Sequence, residues 1–130
     1  MCLVAVFLVS CWGLYSGWYL YYSWFDIALH FLGGFFMAMF MAGYLKEYLD
    51  RGSALKNILI IAGAAMFIGV VWEFAEYIAN QVLVEPVYKY FRIRAYFMGN
   101  LEDTVTDLSM DALGAITFSM LHLFRRGKTH

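Results

Sequence analysis

Asp103, Asp107 and Asp111 recur every four residues in the stretch Gly99-Asn100-Leu101-Glu102-Asp103-Thr104-Val105-Thr106-Asp107-Leu108-Ser109-Met110-Asp111. In a helix they line roughly one face and drift only slowly around it. Carboxylates so spaced can bind a cation, relay a proton or pair with a base. Two smaller groups share that chemistry. Asp26 and His30 stand one helical turn apart, a spacing at which a carboxylate orients an imidazole or both bind one ion. Glu73 and Glu76 in Trp72-Glu73-Phe74-Ala75-Glu76 are three apart and also neighbours on a helix face. A capping Asp and a hydrogen-bonded interior His are the ordinary alternatives for the first pair.

The elements that must position these groups are apolar. Hydrophobic residues make up 63% of the 130, Pro occurs once, and the mean hydropathy is +0.65. This composition excludes an ordinary soluble domain. A crossing needs about 20 mostly apolar residues, so the length accommodates about four crossings with short connections. The expected fold is all-α: a polytopic membrane protein, one domain over residues 1–130, forming a bundle of four transmembrane helices with an interfacial segment before the last. The spans are expected at about 1–22, 26–45, 57–80 and 103–124, the third pattern running on towards Val84. A carboxylate near the bilayer centre costs roughly 2.5–3.5 kcal/mol, so the acids of the fourth span need a cavity or a partner.

Smaller signals fill in this frame. Leu8-Val9-Ser10-Cys11 looks like a lipoprotein cleavage box, but the run before it is short and lacks Lys and Arg, so an uncleaved helix is expected. Cys2 and Cys11 lie too far apart along one helix to bridge. Gly13 and Gly17 form a GxxxG expected to be a packing seam within the monomer, and the aromatic cluster from Trp18 to Trp24 suits a turn at the headgroup layer. Gly33 and Gly34 let another helix or a ligand approach the Asp26/His30 face. Pro86 is expected to break the third helix. Residues 85–102 then read as an interfacial or strand-like segment in which Lys89, Arg92 and Arg94 alternate with aromatics. Those three cations, with Asn100, are candidates to hold an anionic head group or phosphate; ordinary snorkelling is the alternative. His122 and His130 read as bystanders.

Loop charge favours both termini in the cytoplasm, with Lys46, Arg51, Lys56, Arg125, Arg126 and Lys128 inside against Lys89, Arg92 and Arg94 outside. In either orientation, antiparallel alternation brings Asp26 and His30, Glu73 and Glu76, and Asp103 and Asp107 to one membrane face. Repulsion among these carboxylates and Asp111 must be relieved by protonation, by a divalent cation of unspecified identity, or by the basic segment.

The set Asp26-x-x-x-His30-Phe31-x-Gly33-Gly34, Trp72-Glu73-x-x-Glu76 and Asp103-Thr104-x-x-Asp107-Leu108-x-x-Asp111-x-x-Gly114-Ala115 resembles the VanZ-like membrane proteins and the related YjdF-like inner-membrane proteins. The resemblance covers about residues 26–115 and implies a small helical bundle with polar signatures near its helix ends. VanZ-like relatives often have Gln where Glu76 stands and an Arg before the last motif. This chain has neither, which places it nearer the YjdF-like branch.

Three functions are compatible with the pattern. In a metal-dependent enzyme on a lipid-linked or cell-envelope substrate, His30, Glu73, Asp103, Asp107 and Asp111 supply metal ligands. The catalytic set is then Asp26, His30, Glu73, Glu76 and Asp107, with Asp26 orienting His30. The alternatives are an ion-coupled oligomeric carrier, and a non-enzymatic protein whose acids pair with the basic 85–102 loop. The signatures GxSG, HExxH and Asp-Gly-x-x-Ala-Arg do not occur. Membrane lipids are the expected partners, and nothing points to nucleic acid.

Overall fold

The computed structural model describes residues 1–50 and 52–127, with the backbone alone at 125–127. Arg51, Lys128 and the side chains of Arg125 and Arg126, on which the charge-based orientation draws, lie outside the described residues, as does His130, read as a bystander. The described chain is helical: α1 (Cys2–Ser16), α2 (Trp18–Tyr21), α3 (Ser23–Tyr44), α4 (Ala54–Val82), α5 (Val84–Phe91) and α6 (Leu101–Gly127), with a 3-10 turn at Lys46–Tyr48. There is no strand among the described residues.

Among the described residues two helices, α3 and α4, are long and apolar enough to cross a membrane. The other two expected spans differ for physical reasons. The first is broken: Gly17 adopts φ 74°, a left-handed conformation that glycine tolerates without strain, and ends α1 after 15 residues. Gly17 is therefore a helix terminator, whereas Gly13 does form the seam expected of it, lying under the Phe25 ring of α3. The last, α6, is 27 residues long but opens with Glu102 and Asp103 and carries Asp107 and Asp111, which interrupt the apolar run of its first half. Large apolar side chains such as Phe7, Phe40, Phe67 and Phe124 are exposed on α1, α3, α4 and α6, a surface suited to lipid.

Pro86 breaks the third helix as expected: α4 stops at Val82, whose carbonyl the proline ring would otherwise strike. Leu83 closes α4, and Pro86 sits in the first turn of α5, where its missing N–H has no intrahelical partner to lose. The expected interfacial segment is thus a short helix to Phe91 followed by irregular backbone over 92–100. Arg92 closes α5 at φ 58°.

The core is built on small residues. Ala38 and Ala42 of α3, Ile61, Ala62 and Ala65 of α4, and Ala115 of α6 are buried together, which brings backbones close enough for dispersion contacts to hold a bundle in lipid. Ser119 is fully buried there and donates to the Ala115 carbonyl at 2.7 Å. Asn57 fastens the α3–α4 connection: its Nδ2 donates to the Asp50 carbonyl at 2.6 Å, and its Oδ1 accepts from the Asp50 N–H at 2.9 Å.

Closest of all is the contact of α3 with α6. A Cβ on Gly34 would strike the Asp111 backbone, and one on Gly114 would strike the Phe31 carbonyl. Further along, the Phe35 and Phe118 rings meet edge to face with centroids 5.3 Å apart. The two helices therefore run parallel, with α4 antiparallel to both.

Gly34→Ala is expected to destabilise the protein in detergent by about 1–3 kcal/mol, the usual range for overpacking against rigid backbone. Gly63→Ala, where a new Cβ meets nothing within 4 Å, is the control and should melt like the wild type.

Candidate functional site

The parallel packing of α3 on α6 sets the first turns of both helices side by side, and the end of antiparallel α4 arrives at the same level. His30 is the centre, 7% exposed. Its Nδ1 lies 3.5 Å from Asp111 Oδ2, and its Nε2 lies 3.6 Å from Asp26 Oδ1 and 3.9 Å from Asp107 Oδ2. Asp107 and Asp111 are buried, and Asp26 is partly open. From α4, Glu73 and Glu76 each bring an oxygen into a group with a His30 nitrogen in which all three atoms lie within 4.8 Å of one another. Asp26, His30 and Asp107 form a second such group.

Glu73 is the anomaly. It is 5% exposed, and the buried Thr104 hydroxyl of α6 faces its carboxylate without closing a well-formed hydrogen bond. Gly69, one turn before Glu73, leaves room for the Asp111 carboxylate, which a Cβ at that position would meet. Thr104 belongs to the third sequence motif, whereas Gly69 carries no signal of its own there, although it is four residues from Glu73 and so on its face.

Of the residues expected in the site, the structure gathers Asp26, His30, Glu73, Glu76, Asp107 and Asp111. The carboxylate on Nδ1 is Asp111, while Asp26 shares the Nε2 side with Asp107; the expected orienting part of Asp26 thus falls geometrically to Asp111. Asp103 stands apart from both groups. It accepts from the Gly99 N–H at 2.9 Å, and its own N–H donates to Asn100 Oδ1 at 3.1 Å, so Asp103 and Asn100 together cap the start of α6. Lys89, Arg92 and Arg94 are exposed. Lys89 Nζ lies 5.7 Å from the Tyr90 ring centroid. Among the described residues every ion pair runs through His30, and none joins these cations to the cluster.

Two cavities meet at Asp26. One, about 240 Å³, lies between α1, α3 and α4 and has largely apolar walls. The other, about 300 Å³, is a polar vestibule under the 92–100 segment, lined by Tyr96, Asn100, Asp103, Thr106 and Asp107 among others. Burial and then the charge of Asp103 push the Tyr96 phenol above its ordinary range. Tyr96 was not anticipated from the sequence, where it is one aromatic among many.

The chain matches, over residues 1–128, the family described as predicted membrane protein (DUF2238), and it belongs to that family. A relative from Thermotoga maritima, described as an uncharacterized protein, is 30% identical over 122 residues, which are 90% of this chain and 57% of that protein. The chain thus spans little more than half the length of the curated relative it matches. No solved structure matches it. Membership of a membrane-protein family is thereby shown; kinship with VanZ-like or YjdF-like proteins is a narrower statement, taken up below.

Asp103→Ala is expected to cost about 0.5–2 kcal/mol, as lost helix caps do, and to speed amide exchange over residues 99–104. Asp103→Asn should let the Tyr96 phenol titrate at lower pH, read by tyrosinate absorbance. The phenol holds its proton more tightly folded than unfolded, so its contribution to stability is present below the ordinary phenol range and is lost as pH rises through the folded value.

Proposed function

We propose that this protein binds a divalent cation inside the membrane and uses it on the head group of a lipid-linked or cell-envelope substrate. Asp26, His30 and Asp107 hold the ion, with Glu73 and Glu76 beside them. The observation that carries this reading is the convergence of Asp26, His30 and Asp107, with Glu73 and Glu76 on the same imidazole, in which the buried Glu73 carboxylate is faced by no donor stronger than the Thr104 hydroxyl. A carboxylate so placed costs on the order of several kcal/mol unless a positive charge is close.

The donor set fits a metal. Ligand atoms about 2.1 Å from a tetrahedral ion stand about 3.4 Å from one another, and the separations of 3.6 and 3.9 Å around His30 Nε2 are within a few tenths of an ångström of that. With the imidazole proton on Nδ1 facing Asp111, Nε2 turns its lone pair towards Asp26 and Asp107, the carboxylate–histidine arrangement common behind metal ligands. One imidazole among carboxylates suits Zn²⁺, Fe²⁺ or Mn²⁺.

Such an ion supplies Lewis acidity towards a phosphoryl oxygen and lowers the pKa of a bound water. The chain does the rest. Asp111 orients the imidazole, the vestibule admits water, and Glu76, which borders the apolar cavity, is placed to take a proton from water at the head group. On the same footing we place the protein in the cytoplasmic membrane as a multi-pass protein, with α1–α2 and α6 completing four crossings and both termini cytoplasmic. The three motifs support kinship with the YjdF-like proteins.

Carboxylates on both ring nitrogens also favour a second reading, a structural ion cluster around an imidazolium. Elemental analysis separates the two. Protein purified with Zn²⁺ or Mn²⁺ present should retain the ion and melt at a higher temperature than a chelator-treated sample. Asp107→Asn should abolish both effects, and Lys89→Ala neither. Absence of bound metal, with melting of the wild type indifferent to chelator, would leave the structural cluster.

A further inference from the structure

The apolar cavity is not needed to hold an ion. On one side it is walled by Leu3, Val6 and Phe7 of α1, and on the other by Ile68 and Trp72 of α4. Its inner end is polar, where it reaches Asp26, His30 and Glu76. The α1 helix packs on α3 through Gly13 and Phe25 but stands off from α4, and its contact there is the edge-to-face pair of Phe7 with Trp72, centroids 6.5 Å apart. The cavity is therefore a slot between two helices whose outer faces, at Val4, Leu8, Val71 and Phe74, are exposed and apolar.

We infer that this slot seats one hydrocarbon chain of a phosphate-headed membrane lipid, which enters sideways from the bilayer past Phe7 and Trp72 and sets its head at Asp26 and His30. The slot, about 240 Å³ and open between α1 and α4, presents apolar walls to its surroundings. Water is a poor filler where the walls are apolar, because each molecule needs two or more polar partners. A chain with a polar end matches both the walls and the inner end. Asp26 borders the slot and the vestibule alike, so a head placed there meets water from the opposite side. The phosphate end of this inference rests on the cation-binding reading, since a phosphate beside these carboxylates needs the ion. The hydrocarbon end does not.

The probe is a phosphatidic acid carrying a diazirine on its acyl chain, incorporated into phosphatidylcholine vesicles with the purified protein. After illumination, label is expected at Leu3, Val6 and Ile68 well above that at the outward-facing Phe67 and Val71. Val6→Trp, which fills the slot from α1 without touching the acids, should reduce slot labelling severalfold while leaving bound ion and outward labelling unchanged. Leu3→Trp serves if Val6→Trp fails to fold. Label spread evenly over outward and slot positions, or unchanged by the filled slot, overturns the inference. Slot labelling in a protein that binds no ion would sink the cation reading and keep the chain site, and bound ion without slot labelling would do the reverse.

Discussion

A single imidazole buried among carboxylates governs this structure. His30 has acidic oxygens within 4 Å of both ring nitrogens, supplied by its own helix and by α6, while α4 adds two more carboxyl groups nearby. Groups that would each be unfavourable in an apolar interior are tolerable only together, and only at one position of the three helices. That requirement fixes the parallel pairing of α3 with α6 and the level at which α4 crosses them.

Glycine makes the pairing feasible. At Gly34 and Gly114 the α3 and α6 backbones interlock with no room for a methyl group, and Gly69 leaves space for the Asp111 carboxylate. These three residues carry no chemistry, yet they decide whether the acids reach His30. The alanine-rich core at the other end of the bundle holds the helices parallel enough for the arrangement to persist. Specificity of packing and accessibility of the site thus come from the same small side chains.

The two cavities give the site an asymmetric setting. Its vestibule side is polar and bordered by the capped start of α6 and by Tyr96, and its other side opens between α1 and α4 into apolar space. The polar cluster thus lies between a polar and an apolar cavity that meet at Asp26. The exposed Lys89, Arg92 and Arg94, which look in the sequence like natural partners for the acids, lie on the outside of this arrangement.

By itself the sequence determined the helical membrane character, the two strongest spans and the convergence of three acidic motifs, because hydropathy and antiparallel alternation are sums over many residues and survive local surprises. The same sums made Gly34 legible as a site of close approach. Tertiary structure alone decided the rest. Whether Asp111 or Asp26 faces Nδ1, and whether Asp103 joins the cluster or caps a helix, depends on helix rotation and on a few ångströms of translation that no spacing rule encodes. Gly17 reads in sequence as a seam and serves as a terminator for a related reason: such a glycine has more than one local use, and only the neighbouring chain selects between them. The setting of Glu73, between His30, Glu76 and the Thr104 hydroxyl, likewise exists only in three dimensions.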